Sequence, residues 1–151
     1  MSNIKYRILF VCIHNSARSQ MAESFLNQID NEHFEAESAG LEPGNLNPNV
    51  VEVMKEIGID ISGNKTKSVF DIFKNGTSYN AVITVCDAAS AESCPIFPGR
   101  VKRIGWSFTD PSGFKGTEEE ILEKTRKVRD EIQIKIKEFV DEAAGESYWI
   151  E

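Results

Sequence analysis

The chemistry in this sequence begins at Cys12 and Arg18, which bound the segment Cys12-Ile13-His14-Asn15-Ser16-Ala17-Arg18-Ser19. The segment follows a short apolar run and precedes a stretch with helical periodicity. At a strand-to-helix junction the backbone N–H groups and the positive end of the helix dipole converge, and such a site holds a tetrahedral oxyanion. Ile13, His14, Asn15, Ser16, Ala17, Arg18 and Ser19 are therefore the expected oxyanion-binding residues. Arg18 adds two charge-assisted hydrogen bonds through its planar fork. The same field favours thiolate at Cys12: a free cysteine titrates at about 8.5, and loop-and-helix settings lower that to roughly 3.5–7.5. Two unit negative charges about 4 Å apart repel by about 4 kcal/mol at an effective dielectric of about 20. Hydrogen bonds to a charged group contribute roughly 1.5–3 kcal/mol each, so a few loop amides and Arg18 offset that repulsion.

A cysteine and an arginine six places apart are a weak signal alone; the flanking elements make the signal specific. Residues 6–11 are nearly continuous in apolar side chains, as expected of a strand covered on both faces. After the loop, Met21, Ala22, Phe25, Leu26 and Ile29 recur at helical spacing. Phe34, Ala36 and Ser38 alternate with Glu35 and Glu37 in a second strand closed by Gly40. Asn47-Pro48 opens a helix whose apolar face reads Val50, Val51, Met54 and Ile57, with Gly58 at its left-handed stop. A short helix is expected over 68–73, a buried strand over 81–86 and a fourth strand over 101–106. Thr117 and Glu120 form a capping box for a long last helix, its buried stripe Ile121, Val128, Ile132, Ile136, Phe139 and Val140. Strands alternating with helices imply an α/β fold, a four-stranded parallel sheet flanked by helices on both faces. The acidic residues at 118–120 suit the dipole of that helix start.

Composition narrows the rest. The 151 residues fit a single domain over 1–151, with no repeat or linker. A chain of this size buries enough surface to fold without disulfide or metal staples. Seventeen basic against twenty-four acidic residues give a net charge of −7, which argues against nucleic acid or an anionic membrane as partner. The longest early apolar run, residues 8–12, is too short for a membrane span or an export signal. A cytoplasmic monomer is expected. There, three cysteines point to reactive, metal-binding or inert thiols and not to a permanent disulfide framework.

Cys86 ends the expected third strand, and ligand sites of parallel sheets gather at the C-terminal strand ends. It should share that end of the sheet with Cys12. Cys94 follows the small and polar stretch Asp87-Ala88-Ala89-Ser90-Ala91-Glu92-Ser93, which packs weakly and could unwind at little cost. A disulfide needs Cα atoms roughly 4.4–6.8 Å apart, so Cys86 could reach Cys12 and Cys94 in turn only if this stretch moves. Read singly, Cys86 is a small core side chain and Cys94 a loop thiol. A three-thiolate zinc site is disfavoured because no pair has the Cys-x2-Cys spacing.

The Cys-x5-Arg-Ser loop, continuing Ser19-Gln20-Met21-Ala22-Glu23, resembles that of the low-molecular-weight tyrosine phosphatase fold, and most of all its three-cysteine, thioredoxin-coupled arsenate reductases. The likeness extends through Ser38-Ala39-Gly40, Gly58-Ile59-Asp60-Ile61-Ser62, Val82-Ile83-Thr84-Val85-Cys86, Cys94-Pro95, Trp106, Asp110-Pro111 and Val128-Arg129-Asp130-Glu131-Ile132. It implies that Cys12 attacks arsenic, that Asp110 protonates the departing oxygen, and that Cys86 and Cys94 relay a disulfide to thioredoxin. No flavin, nicotinamide or metal is then required. Alone, Asp110-Pro111 would be an ordinary turn opener.

Asn15 and Ser19 are expected to shape the loop, His14 to be a loop residue and not a base, and His33 to lie on the surface. The chain departs from the family at Ala17, where some members carry a further cysteine, and at Gly105-Trp106, where His-Trp is common. The spacer between Cys86 and Cys94 is one residue longer than in similar members. Some members bind potassium near the loop; Asn15, Glu23 and Ser38 match three ligands, but the expected aspartate has no match around Lys67-Ser68, and no metal is predicted. Two rivals remain: a tyrosine or aryl phosphatase using Cys12, Arg18 and Asp110, weakened by Ser112-Gly113 where such enzymes carry aromatic residues, and an oxyanion- or arsenite-binding sensor.

Overall fold

A computed structural model describes residues 5–86 and 88–150. Four parallel strands, β1 (Tyr6–Cys12), β2 (Phe34–Gly40), β3 (Ala81–Thr84) and β4 (Lys102–Gly105), lie in the order β2-β1-β3-β4. The chain steps from β1 to one side and then, at β3, to the other, so the crevice beyond the ends of β1 and β3 is where such a sheet binds ligands. Cys12 pairs with Gly40, and Val11 with Thr84, at that end.

Side-chain alternation along β1 divides the core. Ile8, Phe10 and Cys12 pack with Met21, Phe25 and Leu26 of α1 (Arg18–Ile29) and with Val128, Ile132 and Ile136 of the long helix Glu118–Ala143. Leu9 and Val11 face the other way, onto Ala39, Val69, Tyr79, Val82, Cys94 and Phe97. The central strand is thus covered on both faces, as its unbroken apolar run requires.

Helix α2 (Pro48–Lys55) begins at Asn47, whose side chain accepts from the N–H groups of Asn49 and Val50. It closes in a Schellman pattern: Gly58 N–H donates to Lys55 O, Ile59 N–H to Met54 O, and Gly58 sits at φ +84°. Val53, not Ile57, completes its inner face; Ile57 falls in the closing turn and is exposed. Helix α3 (Val69–Lys74) is capped by Ser68, and the short α4 spans Ala88–Ala91.

The expected third strand is shorter than its apolar run. One further ladder bond, Val85 N–H to Val11 O, carries it past Thr84 before Cys86 turns away. The fourth is also shorter, by one residue at each end. The long helix, α5 (Glu118–Ala143), opens with the Thr117–Glu120 capping box, and Thr125, Arg129 and Ala143 join its buried stripe. A last turn, α6 (Ser147–Ile150), which the sequence pattern did not announce, stacks Trp149 on Tyr6 with ring centroids 4.5 Å apart. Among the described residues no helix is long and apolar enough to cross a membrane.

Candidate active site

The loop after β1 is held by its carbonyls. Cys12 O, Ile13 O, His14 O and Ser16 O accept from the N–H groups of Leu41, Glu42, Gly44 and Asn47 at 2.7–3.1 Å. Asn15 O accepts from Gln20 Nε2 at 3.1 Å and Ala17 O from Met21 N–H at 3.0 Å. Six successive carbonyls are thereby turned outward. In a trans peptide the following N–H points the opposite way, so the amides of 13–18 turn toward the loop's centre. One of them, Asn15 N–H, reaches Cys12 Sγ at 3.2 Å. The first turn of α1 has no side-chain cap at Ala17, which leaves its N–H groups for an anion.

The turn costs one residue in the left-handed region: Asn15, φ +55°, a conformation asparagine tolerates better than most. Its buried side chain stabilises the loop. Lys67 N–H donates to Asn15 Oδ1 at 3.0 Å, which fixes the amide's orientation. Asn15 Nδ2 then donates to Ser19 Oγ at 2.8 Å and to Ser38 Oγ at 2.9 Å. With its oxygen already accepting, Ser19 can turn its own O–H to Cys12 Sγ, 2.8 Å away. Cys12 sulfur thus has one backbone donor, Asn15 N–H, and a hydroxyl able to become a second before any substrate arrives.

Arg18 is 5% exposed. Its Nη1 donates to Phe108 O at 3.2 Å, and its Nη2 lies 3.4 Å from Asp110 Oδ2. Among the described residues its buried Nε has no partner, so it can donate to an oxyanion in the loop. Asp110 Oδ1 accepts from Ser112 N–H as the cap of a short 3-10 turn, Pro111–Gly113, while Oδ2 faces Arg18. His14 is exposed, its Nδ1 2.8 Å from Glu42 O, and His33 is paired with Asp30 on the surface, so neither is aimed at Cys12.

All three cysteines are buried, and none is in a disulfide among the described residues. Cys12 belongs to the α1/α5 face of the core and Cys94 to the opposite face. Cys86, just beyond β3, borders a cavity of about 440 Å³ lined also by Thr84, Ala91, Glu92, Arg103 and Trp106. Burial pushes the Cys94 thiol up to about 11; Arg103 pulls it down and Cys86 adds to the rise, so all three groups are within electrostatic reach. Asp87, part of the stretch expected to unwind, lies outside the described residues.

The three residues that match potassium ligands by resemblance, Asn15, Glu23 and Ser38, come together through hydrogen bonds. Ser38 donates to Glu23 Oε1 at 2.8 Å, Asn15 Oδ1 is occupied by Lys67 N–H and Gln20, and the Lys67 ammonium supplies positive charge to Glu23. Burial still holds the Glu23 carboxyl above its ordinary range.

Two contributors escaped the sequence reading. Gln20 ties Asn15 O and Lys65 O together from inside α1. Gly40, which reads in the sequence as a strand end within a family-like segment, lets β2 pass the loop: a Cβ there would lie 2.7 Å from Asn15 N and from Ile13 O. Its pairing opposite Cys12 was the available signal.

Residues 7–147 match the family described as low molecular weight phosphotyrosine protein phosphatase. An arsenate reductase of Bacillus subtilis (strain 168) is 46% identical over 136 residues, covering 89% of this chain and 94% of that protein. A solved arsenate reductase in the oxidized state superposes with a TM-score of 0.75 at 28% identity, over 90% of this chain and 97% of the other. A thioredoxin-dependent arsenate reductase of Corynebacterium glutamicum gives 0.62 at 26% identity, over 91% of this chain and 64% of that one. The chain belongs to the low molecular weight phosphotyrosine protein phosphatase family, on the branch that carries the arsenate reductases.

Proposed function

We propose that the protein reduces arsenate to arsenite in the cytoplasm, with Cys12 as nucleophile, Arg18 and the amides of residues 13–19 as the oxyanion cradle, and Asp110 as general acid. Cys12 thiolate attacks arsenic(V), an arsenic–oxygen bond breaks, and the oxygen leaves as water with a proton from Asp110. Cys86 then attacks Cys12 sulfur; the arsenic–sulfur electron pair stays on arsenic, arsenite(III) departs, and a Cys12–Cys86 disulfide forms. Cys94 attacks Cys86, releases Cys12 as thiolate, and leaves a Cys86–Cys94 disulfide for thioredoxin to reduce.

What carries this reading is a second and a third buried thiol at the sheet end that holds the anion loop. A phosphatase needs only Cys12, Arg18 and Asp110. Because Cys12 and Cys94 belong to opposite faces of the core, Cys86 is the natural intermediary. The test is arsenate-dependent NADPH oxidation with thioredoxin and thioredoxin reductase, run beside an aryl phosphate. Turnover of arsenate with slow phosphate release is the expected result. Efficient phosphate release without arsenate-dependent NADPH loss would return the chain to the phosphatases.

A further inference from the structure

We infer that Arg103 is a positioning residue for the second thiol exchange, its guanidinium holding the negative charge that Cys94 must carry as it attacks Cys86. The inference rests on the three-thiol relay proposed above. Along β4 the side chains alternate. Ile104 packs on the α1/α5 core and Lys102 Nζ lies 4.6 Å from the centre of the Tyr148 ring. Arg103 therefore faces the other side, opposite Val82, which is in the same cluster as Cys94. Arg103 and Cys86 line one cavity there.

Among the described residues no carboxylate pairs with Arg103 and no hydrogen bond holds it, unlike Arg7, Arg18, Arg126 and Arg129. A strand arginine with no partner among the described residues, lining the cavity of Cys86 on the face that holds Cys94, can follow the charge from one sulfur to the next. The other charged group described on the cavity wall is Glu92, whose carboxylate opposes it; Asp87 lies outside the described residues.

The step balances without a further reactant. Cys94 thiol gives its proton to solvent, its sulfur bonds to Cys86, the Cys12–Cys86 bond breaks, and Cys12 leaves as thiolate. Burial makes the thiolate of Cys94 costly, which is why a nearby cation matters at this point and not at Cys12, where the loop supplies donors. Arg103 is exposed, so screening limits the effect. A loss of one pKa unit of help would cut the thiolate fraction about tenfold, while the more basic thiolate regains about threefold in nucleophilicity, a net slowing of roughly threefold.

The experiment is a single turnover with arsenate, quenched by alkylation at timed intervals, in wild type, Arg103→Met, Arg103→Lys and Glu92→Gln. Arsenite release and the Cys12–Cys86 disulfide report the first exchange; conversion to Cys86–Cys94 reports the second. In Arg103→Met the first exchange should be unchanged, the second slower by up to roughly threefold at neutral pH, and its pH midpoint higher. Arg103→Lys should restore both, and Glu92→Gln should lower the midpoint. An Arg103→Met protein with a normal second exchange and an unmoved midpoint would overturn the role and leave the relay intact. A wild-type protein that releases arsenite without forming Cys12–Cys86 would overturn the relay itself, and this role with it.

Discussion

The Cys86–Phe97 segment leaves the sheet at the end that holds the anion loop, and the two are built in opposite ways. In the loop every carbonyl from Cys12 to Ala17 has a partner, and residues 15–20 are all buried. In the segment, of the side chains described between 90 and 97, only Cys94 and Phe97 are buried; Ile96 is 72% exposed. Its helix is a single turn, Ala88–Ala91, followed by Ser93 N–H to Ser90 O and Cys94 N–H to Ala91 O. Phe97, edge-on to Phe73 and Tyr79, is its anchor. The contrast follows from the chemistry each must do. A charge-stabilising site works best fixed in advance, whereas a thiol that must change partners needs a segment with little buried surface to lose.

The sharpest way to break this division of labour is at Cys12. Cys12→Ser should remove arsenate turnover and aryl-phosphate hydrolysis together, each by more than about a thousandfold. Residual turnover of either above that level, measured on protein free of wild type, would mean the two reactions do not share a nucleophile.

Replacing a thiol of the movable segment should separate the two reactions. Cys86→Ser is expected to abolish arsenate reduction while leaving aryl-phosphate hydrolysis within about threefold, since it alters nothing in the cradle. Cys94→Ser should complete one turnover and stop with Cys12 and Cys86 joined, visible as the loss of two alkylatable thiols by mass spectrometry. Continued turnover of Cys94→Ser with thioredoxin would remove Cys94 from the relay.

At Asp110 the expected effect is smaller. Asp110→Asn keeps the cap to Ser112 N–H but cannot give up a proton, so the chemical step should slow by about a hundredfold, the lower end of what a general acid contributes. Oxyanion binding, followed by competition with phosphate or sulfate, should change little. A wild-type rate would leave Asp110 as a turn residue that happens to face Arg18.

The fold was legible because its signals are local. The apolar run of β1 marks a strand by its own composition, and the Asn47-Pro48 start, the Gly58 stop and the Thr117–Glu120 box each specify their element through bonds to near neighbours. The loop residues were legible for the same reason. Long-range groupings were not. Which core face each cysteine joins depends on where a strand ends: β3 stops at Thr84, inside the apolar run, and Cys86 leaves the ladder. Ile57 failed as a core residue because the helical period that placed it inside runs out in the Gly58 turn. Gln20 reads as an ordinary helix residue until residues 64–67 are folded against it, where it donates to Lys65 O and accepts from Asn64.

The smallest test compares two glycines, one at each region. At Gly40 a methyl group would meet backbone, 2.7 Å from Asn15 N and Ile13 O and 2.8 Å from His14 C, none of which can move without unseating the loop. At Gly105, beside the Cys86 cavity, the nearest atom would be Thr84 Oγ1 at 3.5 Å, an ordinary contact. Gly40→Ala should therefore destabilise the fold by about 1–3 kcal/mol and weaken oxyanion binding, because the strain falls on the peptide whose N–H reaches Cys12. Gly105→Ala should stay within about 0.5 kcal/mol and bind oxyanion normally. Chemical denaturation and phosphate titration of both variants measure the difference directly. If Gly40→Ala were as mild as Gly105→Ala, the loop would have slack that its bonded carbonyls deny, and the division into a fixed cradle and a movable relay would lose its basis.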